Sequence, residues 1–337
     1  MSFLLPSNAP SPVAGRSILV TGGTGSFGRA FVQQCLHDGA RRVVVLSRGE
    51  AKQAAMAAEV GDQRVRYVIG DVRDPLRVLD ACRGVDIVVH AAALKRVETC
   101  EADPNEAVAT NIEGTRNVAR ACIERGVGRA VFLSTDKAAA PNTLYGATKL
   151  AAERLWTRSN VYAAGTPTRL AATRYGNVLG STGSVVPLWQ GQAQRGEPIT
   201  LTSAAMTRFW MPMTDAVDLV LLALGEMRGG EVFIPKAGAA PVLTLARAVA
   251  PGCEVQEVGV RPGEKLHETL VTEDEARNTT DHGTHYRIQP DRTWEDDADR
   301  PDRGVPEGFT YRSDTNPWQL DALALSDLLF PALEKAA

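Results

Sequence analysis

The sequence predicts a doubly wound α/β protein: a mostly parallel sheet with helices on both faces, followed by a smaller, irregular C-terminal domain. Three observations carry this. Short apolar runs alternate strictly with helical patterns through the first half of the 337 residues, the signature of parallel strands joined by crossover helices. A glycine-rich turn joins the first run to the first helix. After Gly176 the alternation gives way to Gly-, Ser-, Pro- and aromatic-rich sequence of lower regularity.

Strands are expected over 17–21, 42–47, 64–70, 86–91 and 129–135, with a sixth over 168–175. Each is a short, nearly continuous apolar run, as expected of strands buried on both faces. Helices are expected over 27–38, 50–60, 75–82, 104–126 and 144–159, and a helix over 214–227 with a strand over 231–235 returns to the sheet. The implied division is a flexible tail over 1–14, a dinucleotide-binding domain over 15–178 with about 212–235, and a second domain over 179–211 with 236–337. The charge- and proline-rich stretch 301–317 reads as part of an irregular cap.

A hydrophobic share of 44% suits a globular protein with a substantial core. The net charge of −3 gives no electrostatic case for nucleic acid or an anionic membrane, and no apolar stretch is long enough to span a bilayer. Phe3-Leu4-Leu5 near the start lacks a basic flank, so a tail is expected rather than a signal peptide. The five cysteines (Cys35, Cys82, Cys100, Cys122 and Cys253) are odd in number and form no Cys-x-x-Cys pair. They read as reduced thiols of a cytoplasmic protein, and no metal site is expected.

The turn Thr21-Gly22-Gly23-Thr24-Gly25-Ser26-Phe27-Gly28 places Gly22, Gly25 and Gly28 at Gly-x-x-Gly-x-x-Gly spacing. Glycine permits a tight turn, close approach to a pyrophosphate and close helix–strand packing, while the helix N-terminus offers free N–H groups to phosphate. A Rossmann-type cofactor site is therefore expected at Thr21, Gly22, Thr24, Gly25, Ser26, Phe27 and Gly28. An acid at the end of the second strand would select NAD. Here that position is Ser47-Arg48, with Lys52 one turn on; a hydroxyl and two cations suit the 2′-phosphate of NADP. Solvated surface cations are the alternative reading of Arg48 and Lys52. Asp71, in Gly70-Asp71-Val72, is placed to meet the adenine, and Ala91-Ala92-Ala93 leaves room for the cofactor to pass.

Residues 134–149 bring together Asp136, Lys137, Tyr145 and Lys149. Tyr145 and Lys149 are four apart and share a helix face. A free tyrosine is a poor base at neutral pH; a lysine ammonium and an oxidised nicotinamide would stabilise its phenolate, which can then take the proton of a substrate hydroxyl. Simple alcohol oxidation has no use for Asp136 and Lys137, but an elimination does. A C–H beside a new ketone is acidic, so Lys137 can remove it if its pKa is lowered, while Asp136 protonates a departing hydroxyl if its pKa is raised. A surface salt bridge is the competing reading.

With these residues in hand, the chain resembles the extended short-chain dehydrogenases/reductases, and more closely the inverting UDP-N-acetylglucosamine 4,6-dehydratases, from Gly15 to Leu329. The motifs are Ser134–Ala138, Leu144–Leu150, Arg174–Val178, Met206–Phe209 and Arg261–Glu268; retaining relatives usually carry Asp-Glu where this chain has Asp136-Lys137. The resemblance implies that Tyr145 deprotonates the sugar 4-hydroxyl as hydride leaves C4 for NADP. Lys137 then removes the C5 proton, Asp136 protonates the 6-hydroxyl, and hydride returns to C6 with inversion at C5. Thr135 orients the substrate. Arg208 and Arg261 take the diphosphate as guanidinium forks, and Asn177 and Glu264 take sugar or uridine hydroxyls. Val185 and Met206 complete the substrate set. Lys95 holds cofactor or substrate, Val72 and Asn111 join the cofactor set, and His267 is structural. Three positions depart from the family pattern: Glu98, Thr182 and Thr202. All fall in segments expected to line the sugar pocket, which leaves the sugar open. In similar proteins the helices expected here over 104–126 and 144–159 form a dimer bundle, so a homo-oligomer is expected.

Three rivals stay open. A UDP-sugar 4-epimerase would use Tyr145 and Lys149 but not Asp136 and Lys137. A variant dehydratase would release a 5,6-alkene before hydride return. A non-catalytic NADP sensor of the same fold would have no need of the Tyr/Lys pair.

Overall fold

The computed structural model describes Leu4, residues 10–290 and residues 304–330. Its main sheet is built from β1 (Ser17–Thr21), β2 (Arg42–Ser47), β3 (Val65–Ile69), β4 (Ile87–His90), β5 (Arg129–Leu133) and β6 (Arg169–Thr173). The interleaved helices are α1 (Ser26–His37), α2 (Glu50–Val60), α3 (Pro75–Ala81), α4 (Val97–Ala102), α5 (Pro104–Val108), α6 (Gly114–Arg125) and α7 (Leu144–Arg158). Beyond them come β7 (Asn177–Val178), α8 (Val185–Gln194), β8 (Ile199–Leu201), β9 (Thr207–Met211), α9 (Met213–Glu226), β10 (Val232–Pro235), β11 (Gly238–Pro241), α10 (Val242–Val249) and β12 (Val255–Glu257). The chain finishes with β13 (Thr269–Val271), α11 (Glu273–Ala276), β14 (Thr279–Asp281), β15 (His285–Ile288), β16 (Tyr311–Arg312) and α12 (Ala322–Leu329).

The sheet order is β14-β15-β10-β6-β5-β4-β1-β2-β3. From β10 to β3 the pairs are parallel, so the strand order reverses beside β1, where open α/β sheets bind ligands. Strand side chains alternate between faces. Ile18, Val20, Val43, Val45, Val89 and Val131 pack with α1 and α9; Leu19, Val44, Leu46, Val88 and Phe132 pack with α6 and α7. A third core around Trp189, Ile199, Leu245 and Leu325 belongs to the C-terminal elements.

Three expectations change. The region 236–337, assigned whole to the second domain, sends β14 and β15 back to the main sheet as an antiparallel hairpin on β10. The tail is not free along its length: Leu4 and Val13 are buried in the cluster that holds Ile18 and Val20, because two apolar side chains outweigh a Ser/Pro-rich context. Residues 1–3, 5–9, 291–303 and 331–337 lie outside the described residues, including the first part of the 301–317 stretch. The helix expected over 104–126 is interrupted by a π-helical turn, Ala109–Glu113.

One buried ionic cluster ties the layers together. Arg174, just after β6, is fully buried. Its Nη2 lies 2.5 Å from Glu153 on α7 and 2.8 Å from Glu275 on α11, and its Nη1 donates to the Leu270 carbonyl at 2.9 Å. Desolvation penalises the Arg174 cation, but the two carboxylates outweigh it and hold the charge firmly.

Candidate active site

The glycine turn sits at the C-terminal end of β1. Gly22 has a φ of +66°, and a Cβ there would lie 2.8 Å from the Ala92 nitrogen. A Cβ on Gly28 would lie 2.4 Å from the Gly23 Cα. The backbone of Ala91–Ala93 therefore runs against the turn, and α1 against its own entry loop, as a dinucleotide cradle requires. Gly25 caps α1 without any side chain on its first N–H groups. Thr21 and Asn111 hold this frame. The Thr21 hydroxyl is 2.6 Å from His90 Nδ1. Burial pushes the His90 imidazole down to about 3 and keeps it neutral. Asn111, buried in the π turn, accepts from Leu94 N–H at 2.8 Å and donates to the Leu94 carbonyl at 3.1 Å and Thr148 at 3.0 Å. Its amide thus shapes the 91–95 loop, and π turns often mark functional positions. Val72 packs under this frame, 2.6 Å from where a Gly114 Cβ would stand.

Thr182 crosses to this cradle. Its N–H donates to Ser26 Oγ at 2.9 Å, the two hydroxyls are 2.8 Å apart, and Lys95 Nζ donates to its carbonyl at 2.8 Å. Ser26, Thr182 and Lys95 therefore form a strap from the C-terminal elements over the start of α1. At the end of β2, Ser47 Oγ accepts from Gln53 at 3.0 Å. Arg48 pairs with Glu106 at 3.4 Å and Asp71 at 3.9 Å, while Lys52 is exposed. Burial raises the Asp71 carboxyl, but hydrogen bonds from Arg73 outweigh it and hold the group below its usual range.

Asp136, Lys137 and Tyr145 converge, and Lys149 lies on the same helix as Tyr145. Asp136 and Lys137 form a 3₁₀ turn directly after β5, with Thr135 as its N-cap. Lys137 Nζ lies 3.1 Å from Asp136 Oδ1, which also accepts from the Thr135 hydroxyl at 2.8 Å. Desolvation raises the Asp136 pKa, the direction that an acid at this position needs. Thr143 caps α7, whose buried face presents Tyr145 and Lys149. Burial pushes Tyr145 up to about 12, and Lys137 is the cation that opposes this most, with help from the Thr135 hydroxyl. Lys149 Nζ donates to the Leu133 carbonyl at 2.6 Å and lies 3.9 Å from the centre of the Phe132 ring. Desolvation lowers it to about 7.

Two expectations need correcting here. Lys149 was to be the cation beside Tyr145, but it is turned to Leu133 and Lys137 takes that place. Lys137 was to have a lowered pKa. Desolvation does push it down, but Asp136 and Glu268 outweigh this and raise it, and Lys137 stands in ion-pair geometry with Asp136 at 3.1 Å.

A cavity of about 170 Å³ opens beside this group, lined by Lys137, Asn177, Val185, Met206, Arg208 and Glu264 among others. These include five of the expected substrate residues. Asn177 Oδ1 and Asp136 Oδ2 are buried without a hydrogen-bond partner in the protein, which is unusual for buried polar atoms. Arg208 is buried and donates to the Thr207 and Leu266 carbonyls at 2.8 and 3.1 Å. Met206 Sδ accepts from Thr202 at 2.9 Å. Lys95 and Thr135 lie outside this lining. So does Arg261, whose exposed guanidinium pairs with Glu98, because the nearest carboxylate rather than the cavity captures it. His267 hydrogen-bonds Thr207 at 2.9 Å, as a structural residue would. Thus two positions that depart from the family pattern, Glu98 and Thr182, are occupied in contacts across the site.

Three acids and a lysine were missed. Glu268 is 2% exposed and lies 3.2 Å from Lys137 Nζ. Lys265 donates to the Ala139 carbonyl at 2.6 Å. Glu153 and Glu275 fix Arg174. The spacing Tyr145, Lys149, Glu153 continues one helix face and signals Glu153; nothing local distinguishes Glu268 from Glu264.

Fold and site together define an extended nucleotide-binding α/β protein with an acid–base centre, and the comparisons name its family. Residues 18–290 match the family model described as polysaccharide biosynthesis protein, and the chain belongs to that family. The chain is 41% identical to the UDP-N-acetylglucosamine 4,6-dehydratase (inverting) of Campylobacter jejuni subsp. jejuni serotype O:23/36 (strain 81-176), over 94% of this chain and 97% of that one. It is 39% identical to the UDP-glucose 4-epimerase of Rickettsia canadensis (strain McKiel), over 82% and 83%. Among solved structures, Pen from Bacillus thuringiensis aligns with a TM-score of 0.86 at 34% identity, covering 95% of this chain and 99% of that one. DesIV, a dTDP-glucose 4,6-dehydratase from Streptomyces venezuelae with NAD and TYD bound, aligns at 0.67 and 28% identity over 74% and 86%. Among the described residues no cluster of His, Cys, Asp and Glu could hold a metal, and no helix is long and apolar enough to cross a membrane.

Proposed function

We propose that the chain is an inverting nucleotide-sugar 4,6-dehydratase, a hydro-lyase acting on UDP-N-acetylglucosamine to give the 4-keto-6-deoxy sugar with inverted C5. The observation that carries this is the Asp136–Lys137 ion pair, at 3.1 Å, beside Tyr145 and the cavity. An epimerase needs the phenol but has no work for that pair, even though an epimerase stands among the similar proteins.

The glycine cradle fits a dinucleotide, with Thr21, Gly22, Thr24, Gly25, Ser26, Phe27 and Gly28 around the pyrophosphate. Ser47, Arg48 and Lys52 support NADP over NAD, since no acid ends β2. A nicotinamide held in this cradle would supply the hydride acceptor for C4 and the hydride donor for C6. Tyr145 takes the proton of the 4-hydroxyl, an act that needs its pKa brought down from about 12 by positive charge. Lys137 takes the C5 proton. Asp136 gives a proton to the C6 oxygen, which leaves as water while the C5–C6 double bond forms. The competent pair is the ion pair with one proton moved from Nζ to Oδ1, and elimination regenerates the ion pair; when hydride returns to C6, C5 takes one proton on the opposite face, which balances the proton that Tyr145 removed from the 4-hydroxyl. Arg208 and Asn177 support binding of the diphosphate and sugar, with Val185, Met206 and Glu264 around them. The remaining C-terminal elements supply the sugar-binding domain, and a cytoplasmic homo-oligomer packed through α5–α7 completes the reading.

The test is incubation with UDP-N-acetylglucosamine in deuterated water, followed by mass spectrometry and proton NMR. Loss of one water, deuterium at C5 and a 6-methyl signal are expected, and the C5 coupling constants report inversion. An unlabelled 4-epimer, or no water loss, overturns the reading.

A further inference from the structure

The proposed reaction uses Asp136, Lys137 and Tyr145, yet a second buried carboxylate touches Lys137 and has no part in it so far. Glu268 lies at the end of the 261–268 segment, 2% exposed. Its backbone is fixed on both sides by Ser313: the Glu268 N–H donates to Ser313 Oγ and its carbonyl accepts from Ser313 N–H, both at 2.9 Å. Its Oε1 lies 3.2 Å from Lys137 Nζ and 3.7 Å from Arg208 Nε, and its Oε2 lies 3.8 Å from Lys265 Nζ. Lys137 therefore stands between two carboxylates, one from its own turn and one from a segment more than a hundred residues away. A buried carboxylate without cations would take up a proton. Here burial acts that way, but Lys137, Arg208 and Lys265 outweigh it and keep Glu268 charged.

We propose that Glu268 is a positioning residue for the elimination: together with Asp136 it holds Lys137 Nζ where that nitrogen takes the C5 proton. This rests on the dehydratase reading. In the elimination the C5–H bond breaks, its proton goes to Nζ, the electron pair forms the C5–C6 double bond, and the C6–O bond breaks with the Asp136 proton. The resting ion pair already carries the ammonium, so the charge of Glu268, 3.2 Å away, stabilises ground state and elimination alike; what it adds to that step is the placement of Nζ. The logic is that of the carboxylate that orients a catalytic histidine. Deprotonation of the 4-hydroxyl by Tyr145 draws no such help from Glu268.

The groups facing Lys137 are Asp136 on the same turn, Tyr145 on α7, Arg208 on β9, and Lys265 and Glu268 on the 261–268 segment. Arg208 works against protonation of Lys137, whereas Asp136, Glu268 and Tyr145 favour it. Removing the Glu268 charge therefore lets the pair lose its shared proton at lower pH.

The test is Glu268→Gln, which keeps shape and a hydrogen-bond acceptor but removes the charge. Deuterium incorporation at C5 and kcat are expected to fall on the order of 10²-fold, the scale of displacing a reacting group by about 1 Å, with KM within about twofold. Reduced nicotinamide still forms, because C4 oxidation is spared. The alkaline limb of the kcat/KM profile moves about one pH unit acidward, and Glu268→Asp recovers most of the rate. Wild-type exchange in the Gln variant overturns the proposal, as does an equal loss of C4 oxidation and C5 exchange with an unmoved alkaline limb. A second measurement needs no substrate: amine-reactive labelling of Lys137 against pH, read by mass spectrometry. Labelling is expected at lower pH in Glu268→Gln, and in smaller measure in Glu268→Asp; an unmoved profile refutes the proposal. If the wild type fails to dehydrate UDP-N-acetylglucosamine, the dehydratase reading falls on that result, while the labelling profile still decides the electrostatic role of Glu268.

Discussion

Neutralising Glu275 as Glu275→Gln is expected to destabilise the protein by about 3 kcal/mol at pH 7. Burial alone would raise this carboxyl, yet hydrogen bonds from Arg174 and the Thr272 cap pull it from 4.5 down to about 2. At about 1.4 kcal/mol per unit, that depression corresponds to about 3 kcal/mol. The side chain is 9% exposed, so solvent screening takes little from the figure, and it matches the cost of removing one partner from a buried ion pair. Because the folded-state pKa is the lower one, this stability is fully present above the unfolded value of 4.5 and is lost as pH falls toward about 2. The gap between wild type and variant should therefore be about 3 kcal/mol at pH 7 and about 2 kcal/mol at pH 3.5. Urea denaturation followed by tryptophan fluorescence measures both values. A gap under about 1 kcal/mol at pH 7, or one that does not shrink on acidification, refutes the assignment of Glu275 as a charged partner of Arg174.

Other outcomes follow from the proposed roles of Lys137, Tyr145 and Ser47. Lys137→Ala should abolish C5 deuterium exchange and dehydration, a loss of about 10²–10⁴-fold for a general base, while cofactor stays bound; wild-type turnover refutes the base assignment. Tyr145→Phe should block C4 oxidation, read as absence of reduced nicotinamide on mixing with substrate, and full activity in it overturns the scheme. Ser47→Asp should swing cofactor preference from NADP toward NAD by roughly tenfold or more, measured by titrating the apo-protein with each dinucleotide; an unchanged preference removes Ser47 from the cofactor site.

The parts of the fold legible in the sequence are those with one strong local cause. Strands such as Arg42–Ser47 are unbroken apolar runs, and burial on both faces leaves no other reading. The hairpin Thr279–Asp281 with His285–Ile288 was hidden because its strands are short, polar and paired antiparallel at a sheet edge. Their order comes from β10, not from their own sequence. The π turn at 109–113 was equally silent, since Asn111 owes its place to Leu94 and Thr148. In the site, the Asp136/Lys137 spacing and the place of Tyr145 on α7 gave three side chains that meet, while Lys149 turns away to Leu133. The spacings could not show which cation faces which acid. That is settled by partners distant in sequence: Glu268 reaches Lys137 across the 261–268 segment, and Arg261, expected at a diphosphate, is held by Glu98.

The strap of Ser26, Thr182 and Lys95 bears on how such a protein would live with its cofactor. A dehydrogenase that releases reduced dinucleotide after every cycle needs an open door, and its output follows the cell's ratio of oxidised to reduced pool. A catalyst that takes hydride and gives it back to the same molecule has no such need. A loop hydrogen-bonded to Ser26 at the start of α1 suits the second kind: under the proposed reaction, loading would happen once, and flux would thereafter be insulated from redox fluctuations outside. The vulnerability moves elsewhere. Under the proposed reaction, substrate that escaped between the two hydride transfers would leave a reduced cofactor behind the strap, and that copy would be silent until the loop let it go.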